Sequence, residues 1–112
     1  DAPCSGTGTW RRNPDTRWRP FGPNLSTLLA TQSEILNRVA ATVKPGGRLV
    51  YATCSILPAE NEDQVEAFLR DHPEFNTIPV AGIMPDIAGV DGRFMRLSSY
   101  RHNTDGFFAA VL

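Results

Sequence analysis

Cysteine is scarce in this sequence: Cys4 and Cys54 are the only two, and they form no Cys-x-x-Cys pair. That excludes a disulfide-rich scaffold and a four-cysteine zinc site. The two histidines, His72 and His102, stand in unrelated segments, so no metal site is expected. No uninterrupted apolar run is long enough to span a bilayer, and no basic and apolar leader is present, so no membrane association is expected. A cytoplasmic protein with reduced thiols fits these absences. Internal repeats and low-complexity tracts are also lacking, as is a glycine-rich first turn of the dinucleotide-binding kind.

What is present suits one soluble globular domain. The 112 residues are 41% hydrophobic and 21% charged, enough for a single modest core. A formal net charge of -1 conceals an uneven distribution. Arg11, Arg12, Arg17 and Arg19 lie close together near the start, whereas Glu60, Glu62, Asp63 and Glu66 form an acidic run. A local basic patch can engage phosphate even on a domain that is nearly neutral.

Residues 1–24 read as a loop, because Pro3, Pro14, Pro20 and Pro23 alternate with Gly6, Gly8 and Gly22. From Leu25 the recurrence of Leu28, Gln32, Ile35, Leu36, Val39, Ala40 and Val43 predicts a helix with one apolar face. Ser26 or Thr27 is expected to cap it, and Lys44-Pro45-Gly46-Gly47 to end it. Residues 48–53 predict a buried strand that delivers Cys54. Pro58, with Glu60 and Glu62 after it, predicts the start of a second helix running through Val65, Phe68 and Leu69 to a stop at Asp71-His72-Pro73. Residues 75–90 predict an irregular connection with at most one short strand. Residues 94–98 and 106–112 predict two strands joined by a polar turn around His102, Asn103 and Thr104. The class is α/β, and it looks like such a domain without its first half.

Each cysteine taken alone is most simply a small buried hydrophobe. Together they say more. Cys54 follows a strand, and ligands bind at the carboxyl ends of strands in open α/β sheets. A strand ending near Asp1 would bring Cys4 to the same crevice. Two thiols there can be metal ligands, a redox pair, or a nucleophile and its helper.

Several short motifs occur in a fixed order: Asp1-Ala2-Pro3-Cys4-Ser5-Gly6-Thr7-Gly8, Arg11-Arg12-Asn13-Pro14-Asp15, Gln32-Ser33-Glu34-Ile35-Leu36, Gly46-Gly47, Tyr51-Ala52-Thr53-Cys54-Ser55, Glu60-Asn61-Glu62 and Thr104-Asp105-Gly106-Phe107-Phe108. In this order they resemble the RNA 5-methylcytosine methyltransferases, closest to the bacterial 16S ribosomal RNA cytosine-C5 methyltransferases of the Sun type. The resemblance covers nearly the whole chain. It implies a partial Rossmann-like fold dependent on S-adenosylmethionine, with residues 1–112 as the C-terminal portion of the catalytic domain and a mixed sheet. The cofactor-binding half would precede Asp1, so these residues alone are expected to bind the cofactor weakly or not at all and to be inactive. A sheet edge left unpaired there favours self-association.

The resemblance also implies roles. Cys54 matches the nucleophile that adds to cytosine C6, and Cys4 matches the residue associated with product release. Asp1 matches a carboxylate at the cytosine N3/N4 edge, and with Pro3 it is expected to border the cofactor. Pro3, Ser5 and Gly6 are expected to admit a flipped base, and Arg11 and Arg12 to contact RNA. Arg17 and Arg19, interleaved with Trp10 and Trp18, have the composition for phosphate contact and stacking, or equally for a solvated loop.

Other polar residues have plainer readings. Glu60, Glu62 and Asp63 are expected to be solvated at a helix start, His72 to end that helix, and Lys44 to be a helix-terminal cation. Asn61 is expected to orient the turn after Cys54. Phe107 and Phe108 are expected to face opposite sides of their strand. A non-catalytic RNA-binding module and a thiol-dependent redox protein are the competing functions.

Overall fold

Asn24 opens the first helix. Its Oδ1 accepts hydrogen bonds from Thr27 N (2.9 Å), Thr27 Oγ1 (2.9 Å) and Ser26 Oγ (2.7 Å), so Ser26 and Thr27 serve the cap as donors and do not form it. In the computed structural model, which describes residues 1–18, 22–87 and 92–112, helix α1 is Leu25–Ala40. The apolar recurrence becomes a buried stripe of Leu28, Gln32, Leu36 and Ala40. The helix closes at Ala40, short of Val43. Strand β1, Val50–Thr53, follows the glycine turn.

Pro58–Glu60 is a single 3-10 turn with proline at its first position, and helix α2, Glu62–Asp71, begins after it. Two further 3-10 turns, Val80–Gly82 and Pro85–Ile87, occupy the described part of the irregular connection. Ile78 makes an isolated antiparallel bridge to Val111 there. Strand β2 is Met95–Leu97 and strand β3 is Phe107–Val111. The polar turn between them is a short helix, α3, Ser99–His102. It is capped by Ser98 and left through Asn103 at φ 53°, a conformation asparagine tolerates better than most residues.

The strands form a sheet in the order β1-β3-β2, with both pairings antiparallel. Tyr51 faces Ala110, and Thr53 faces Phe108. All four side chains are buried on one face, which packs with Leu36, Ala40, Val65 and Phe68 of the two long helices. Phe108 and Phe94 are each 1% exposed, and burial of one such ring contributes about 1.5–3 kcal/mol. Phe107 is only partly buried while Phe108 is fully so, as strand alternation requires. The opposite face stays more open, with Val50 55% exposed.

The mixed sheet expected from the sequence is not formed among the described residues: every strand pairing is antiparallel, and the first residues lie beside β1 without forming a strand. Ala2 N donates to Ala52 O (2.9 Å) and Gly8 N to Cys54 O (2.9 Å), so the segment carrying Cys4 advances beside β1 in the same direction. Among the described residues no helix is long and apolar enough to cross a membrane.

Candidate active site

The turn after β1 is built by three neighbouring side chains. Thr53 Oγ1 donates to Asn61 Oδ1 (2.6 Å), and Asn61 Nδ2 donates to the Ser55 carbonyl (3.0 Å). Ser55 Oγ accepts from Leu57 N (3.0 Å). Thr53, Ser55 and Asn61 are all buried. They hold the chain in a sharp bend with Cys54 at its apex, which gives Asn61 the orienting place expected of it.

The second loop approaches from the first residues. Gly6, at φ 67°, takes a left-handed conformation that a side chain would disfavour. Thr7 Oγ1 accepts from Ile56 N (3.0 Å) and lies 3.1 Å from Ser55 Oγ. The result is a contact of 3.4 Å between Cys4 Sγ and Cys54 Sγ, both partly buried and both free thiols. The expectation that the two sulfurs share one crevice at the end of β1 is met.

Beneath the pair lies Glu60, fully buried. Its Oε1 accepts from Ser5 N (2.8 Å) and Gln32 Nε2 (3.1 Å), and its Oε2 from Ser5 Oγ (2.5 Å). Gln32, also fully buried, donates as well to the Pro3 carbonyl (2.9 Å). The sequence places Glu60 in solvent at a helix start; it sits inside the site instead, because the 3-10 turn after Pro58 rotates it inward before α2 begins. Nothing in the local pattern marks it. Gln32 carries a signal, since it is an amide on the core-facing stripe between Leu28 and Leu36, and a buried amide needs partners.

Burial is the largest influence on the Cys54 thiol, and the hydrogen bond with Cys4 adds to it; together they push it up to about 11. Tyr51, which donates to the Glu60 carbonyl (2.7 Å), is likewise raised by burial.

The other expected site residues are spread around this centre. Asp1 and Pro3 are exposed, and the Asp1 carboxylate has no partner among the described residues. A free carboxylate on the segment that carries Cys4 suits one wall of a site for a cationic methyl donor. It does not enclose such a group. Arg11 is exposed, while Arg12 Nε donates to Asp105 Oδ2 (2.5 Å). Arg17 lies over the rings of both Trp10 (5.4 Å to the centroid) and Trp18 (5.1 Å). Arg19 lies outside the described residues. A cavity of about 270 Å³ opens beside Ser55, lined also by Ile56, Asn61, Arg96, Arg101 and His102. His72 caps α2 and stacks on Phe68.

The crystal structure of a methyltransferase homologue from Pyrococcus horikoshii superposes with a TM-score of 0.72 at 29% identity, over 99% of this chain and 36% of that one. The class is a methyltransferase-like α/β fold. The crystal structure of PH0851 superposes with a TM-score of 0.88 at 43% identity, over 99% of this chain and 25% of that one. The crystal structure of NSun6 from Pyrococcus horikoshii with SFG gives a TM-score of 0.76 at 25% identity, over 99% of this chain and 28% of that one.

The sequence narrows this further. The model of the 16S rRNA methyltransferase RsmB/F family matches residues 1–112, and the chain belongs to that family. It is 44% identical to the Probable ribosomal RNA small subunit methyltransferase B of Synechocystis sp., over 100% of this chain and 26% of that protein. It is 53% identical to the Ribosomal RNA small subunit methyltransferase B of Salmonella newport, over 66% of this chain and 17% of that protein. The chain thus spans about a quarter, or less, of the length of the curated relatives it matches.

Proposed function

We propose that residues 1–112 are the C-terminal portion of the catalytic domain of an enzyme that methylates C5 of cytosine in ribosomal RNA through a covalent cysteine adduct. The observation that carries this reading is the 3.4 Å contact between Cys4 and Cys54 at the end of β1. Cytosine C5 is unreactive until C6 receives a nucleophile. Cys54 Sγ forms a bond to C6 while the C5–C6 π electrons move to C5. The thiol proton leaves Cys54 and ends on ring N3, where the Asp1 carboxylate holds it by a hydrogen bond. S-adenosylmethionine, bordered by Asp1 and Pro3 when bound, supplies an electrophilic methyl group. Cys4, as its thiolate, then takes the C5 proton, directly or through water; the released electrons restore the C5–C6 double bond and expel Cys54 as a thiolate, which recovers the proton held at N3.

The roles of the two thiols follow the motif resemblance, and their positions suit them. Cys54 stands at the apex of a turn tied by Thr53 and Asn61. Its raised proton affinity keeps the resting thiol protonated, so the thiolate forms when the base arrives. Ser5 and Gly6 shape the loop that admits the flipped base, and Arg11 and Arg12 contact the RNA backbone. A ribosomal RNA substrate suits a cytoplasmic protein, whose thiols stay reduced. By themselves the 112 residues offer one open wall for the methyl donor and are expected to turn over inefficiently.

The test uses the full-length protein with S-adenosylmethionine. With 5-fluorocytosine RNA, where fluorine blocks elimination after thiol addition, Cys54→Ala abolishes the stable protein–RNA adduct. With ordinary cytosine RNA, Cys4→Ala accumulates adduct because addition proceeds and release fails. An undiminished adduct in Cys54→Ala, mapped by peptide mass to Cys4, reverses the roles and overturns the mechanism.

A further inference from the structure

We infer that Glu60 is a positioning residue that clamps the Cys4 loop onto the Cys54 turn and thereby sets the apposition of the two thiols. The connection is continuous. From Glu60 two hydrogen bonds reach Ser5, the residue after Cys4, and a third reaches Gln32, which holds Pro3, the residue before it. Cys4 is therefore gripped on both sides by groups that converge on one buried carboxyl. Ser5 Oγ in turn lies 3.3 Å from Thr7 Oγ1 and 3.4 Å from Ser55 Oγ, and these two hydroxyls are 3.1 Å apart. Ser55 follows Cys54, so the hydroxyl cluster joins the two cysteine loops side by side above Glu60.

The two loops are not held equally. Cys54 has an independent scaffold in the Thr53, Asn61 and Ser55 bonds, none of which passes through Glu60 side-chain atoms. The residues on either side of Cys4 are tied by side chains only through Glu60, Gln32 and the hydroxyl cluster, while the backbone ties, Ala2 N to Ala52 O and Gly8 N to Cys54 O, lie two and four residues away. Weakening the clamp displaces Cys4 while leaving Cys54 in place. An enzyme so altered adds its nucleophile normally and releases slowly. This last step rests on the proposed function; the geometry of the clamp does not.

Two variants separate the ideas, both in the full-length protein. Glu60→Leu keeps a similar side-chain size but removes both accepting oxygens, and Ser5→Ala removes the hydroxyl that donates to Glu60 Oε2. Oxidation by diamide, which takes up two thiol protons and two electrons as the Cys4–Cys54 bond forms, reports thiol apposition without RNA. Mass spectrometry of the linked peptides follows its rate. Each variant slows linkage about tenfold, because effective concentration falls steeply with small misplacement. The double variant is no slower than the worse single one, since both remove the same contact. Thr42→Ala, in the exposed turn after α1, leaves the rate unchanged, and circular dichroism confirms that all variants are folded.

With ordinary cytosine RNA, Glu60→Leu and Ser5→Ala accumulate adduct and lose kcat with KM unmoved. Linkage at the wild-type rate in either folded variant overturns the clamp, whatever happens with RNA. So do effects that multiply in the double variant. Slowed linkage with no RNA adduct in the wild type or any variant leaves the clamp standing and sinks the methyl-transfer reading.

Discussion

Gly8 and Gly106 meet backbone to backbone. Gly106 N donates to Gly8 O (2.9 Å), and a Cβ on Gly8 would stand 2.2 Å from Gly106 O and 2.7 Å from Cys54 O. This contact pins the first loop against the start of β3 and against the carbonyl of Cys54 itself. Gly8→Ala therefore forces the loops apart. A loss of about 1–3 kcal/mol is expected, read as a fall in thermal unfolding temperature. Wild-type stability in the Gly8→Ala variant would show that the backbones do not touch.

Cys54 alkylation has a defined pH dependence. The thiol is raised from an ordinary 9.0 to about 11, and only the thiolate reacts with iodoacetamide. Below pH 9 Cys54 is expected to react about a hundredfold more slowly than an unperturbed cysteine, that being the factor for two pH units. Its rate climbs about tenfold per unit as the pH approaches 11. Site-resolved mass spectrometry checks this, and a plateau reached by pH 9 contradicts it.

Asn61→Ala removes the acceptor for Thr53 Oγ1 and the donor to Ser55 O in a buried turn. The Thr53 hydroxyl proton and the Ser55 carbonyl lose their partners, although Thr53 Oγ1 still accepts from Ser55 N (3.2 Å), and each loss costs about 1–3 kcal/mol. The expected result is a protein destabilised by that order in urea melts, with Cys54 alkylation faster because its turn opens. Unchanged melts and unchanged alkylation together would remove Asn61 from the site.

The arginines divide by what already holds them. Arg12 is paired with Asp105, while Arg11 is exposed and has no partner among the described residues. Arg11→Ala should lower RNA affinity and reduce the salt dependence of binding by about 0.7–0.9 in logarithmic slope, the value for one phosphate contact. Arg12→Ala should lower it less, since its guanidinium is partly committed within the protein. Filter binding across a salt series distinguishes them, and equal slopes would mean that Asp105 does not restrain Arg12.

The elements were legible where periodicity is strong. The stripe from Leu28 to Ala40 and the alternation around Phe108 are local signals, and the structure realises both. The thiol pair was also legible, through the placement of Cys54 at a strand end and the motif around Cys4. Glu60 was not, because its burial depends on a 3-10 turn of three residues and on Ser5 and Gln32 arriving from elsewhere in the chain. A glutamate beside other acidic residues reads as solvated until those donors are in place. The helix cap was misplaced by a few residues for a related reason: Ser26, Thr27 and Asn24 are all capable caps, and only the course of the chain before Leu25 decides among them.

Trp10 and Trp18 are the only tryptophans in the 112 residues, and Arg17 lies over both. Their emission consequently comes from a single place, the loop that leads away from Cys4. Any molecule that draws the guanidinium off the two indoles changes the colour and lifetime of that light. The loop carries its own optical gauge, readable in real time without a label.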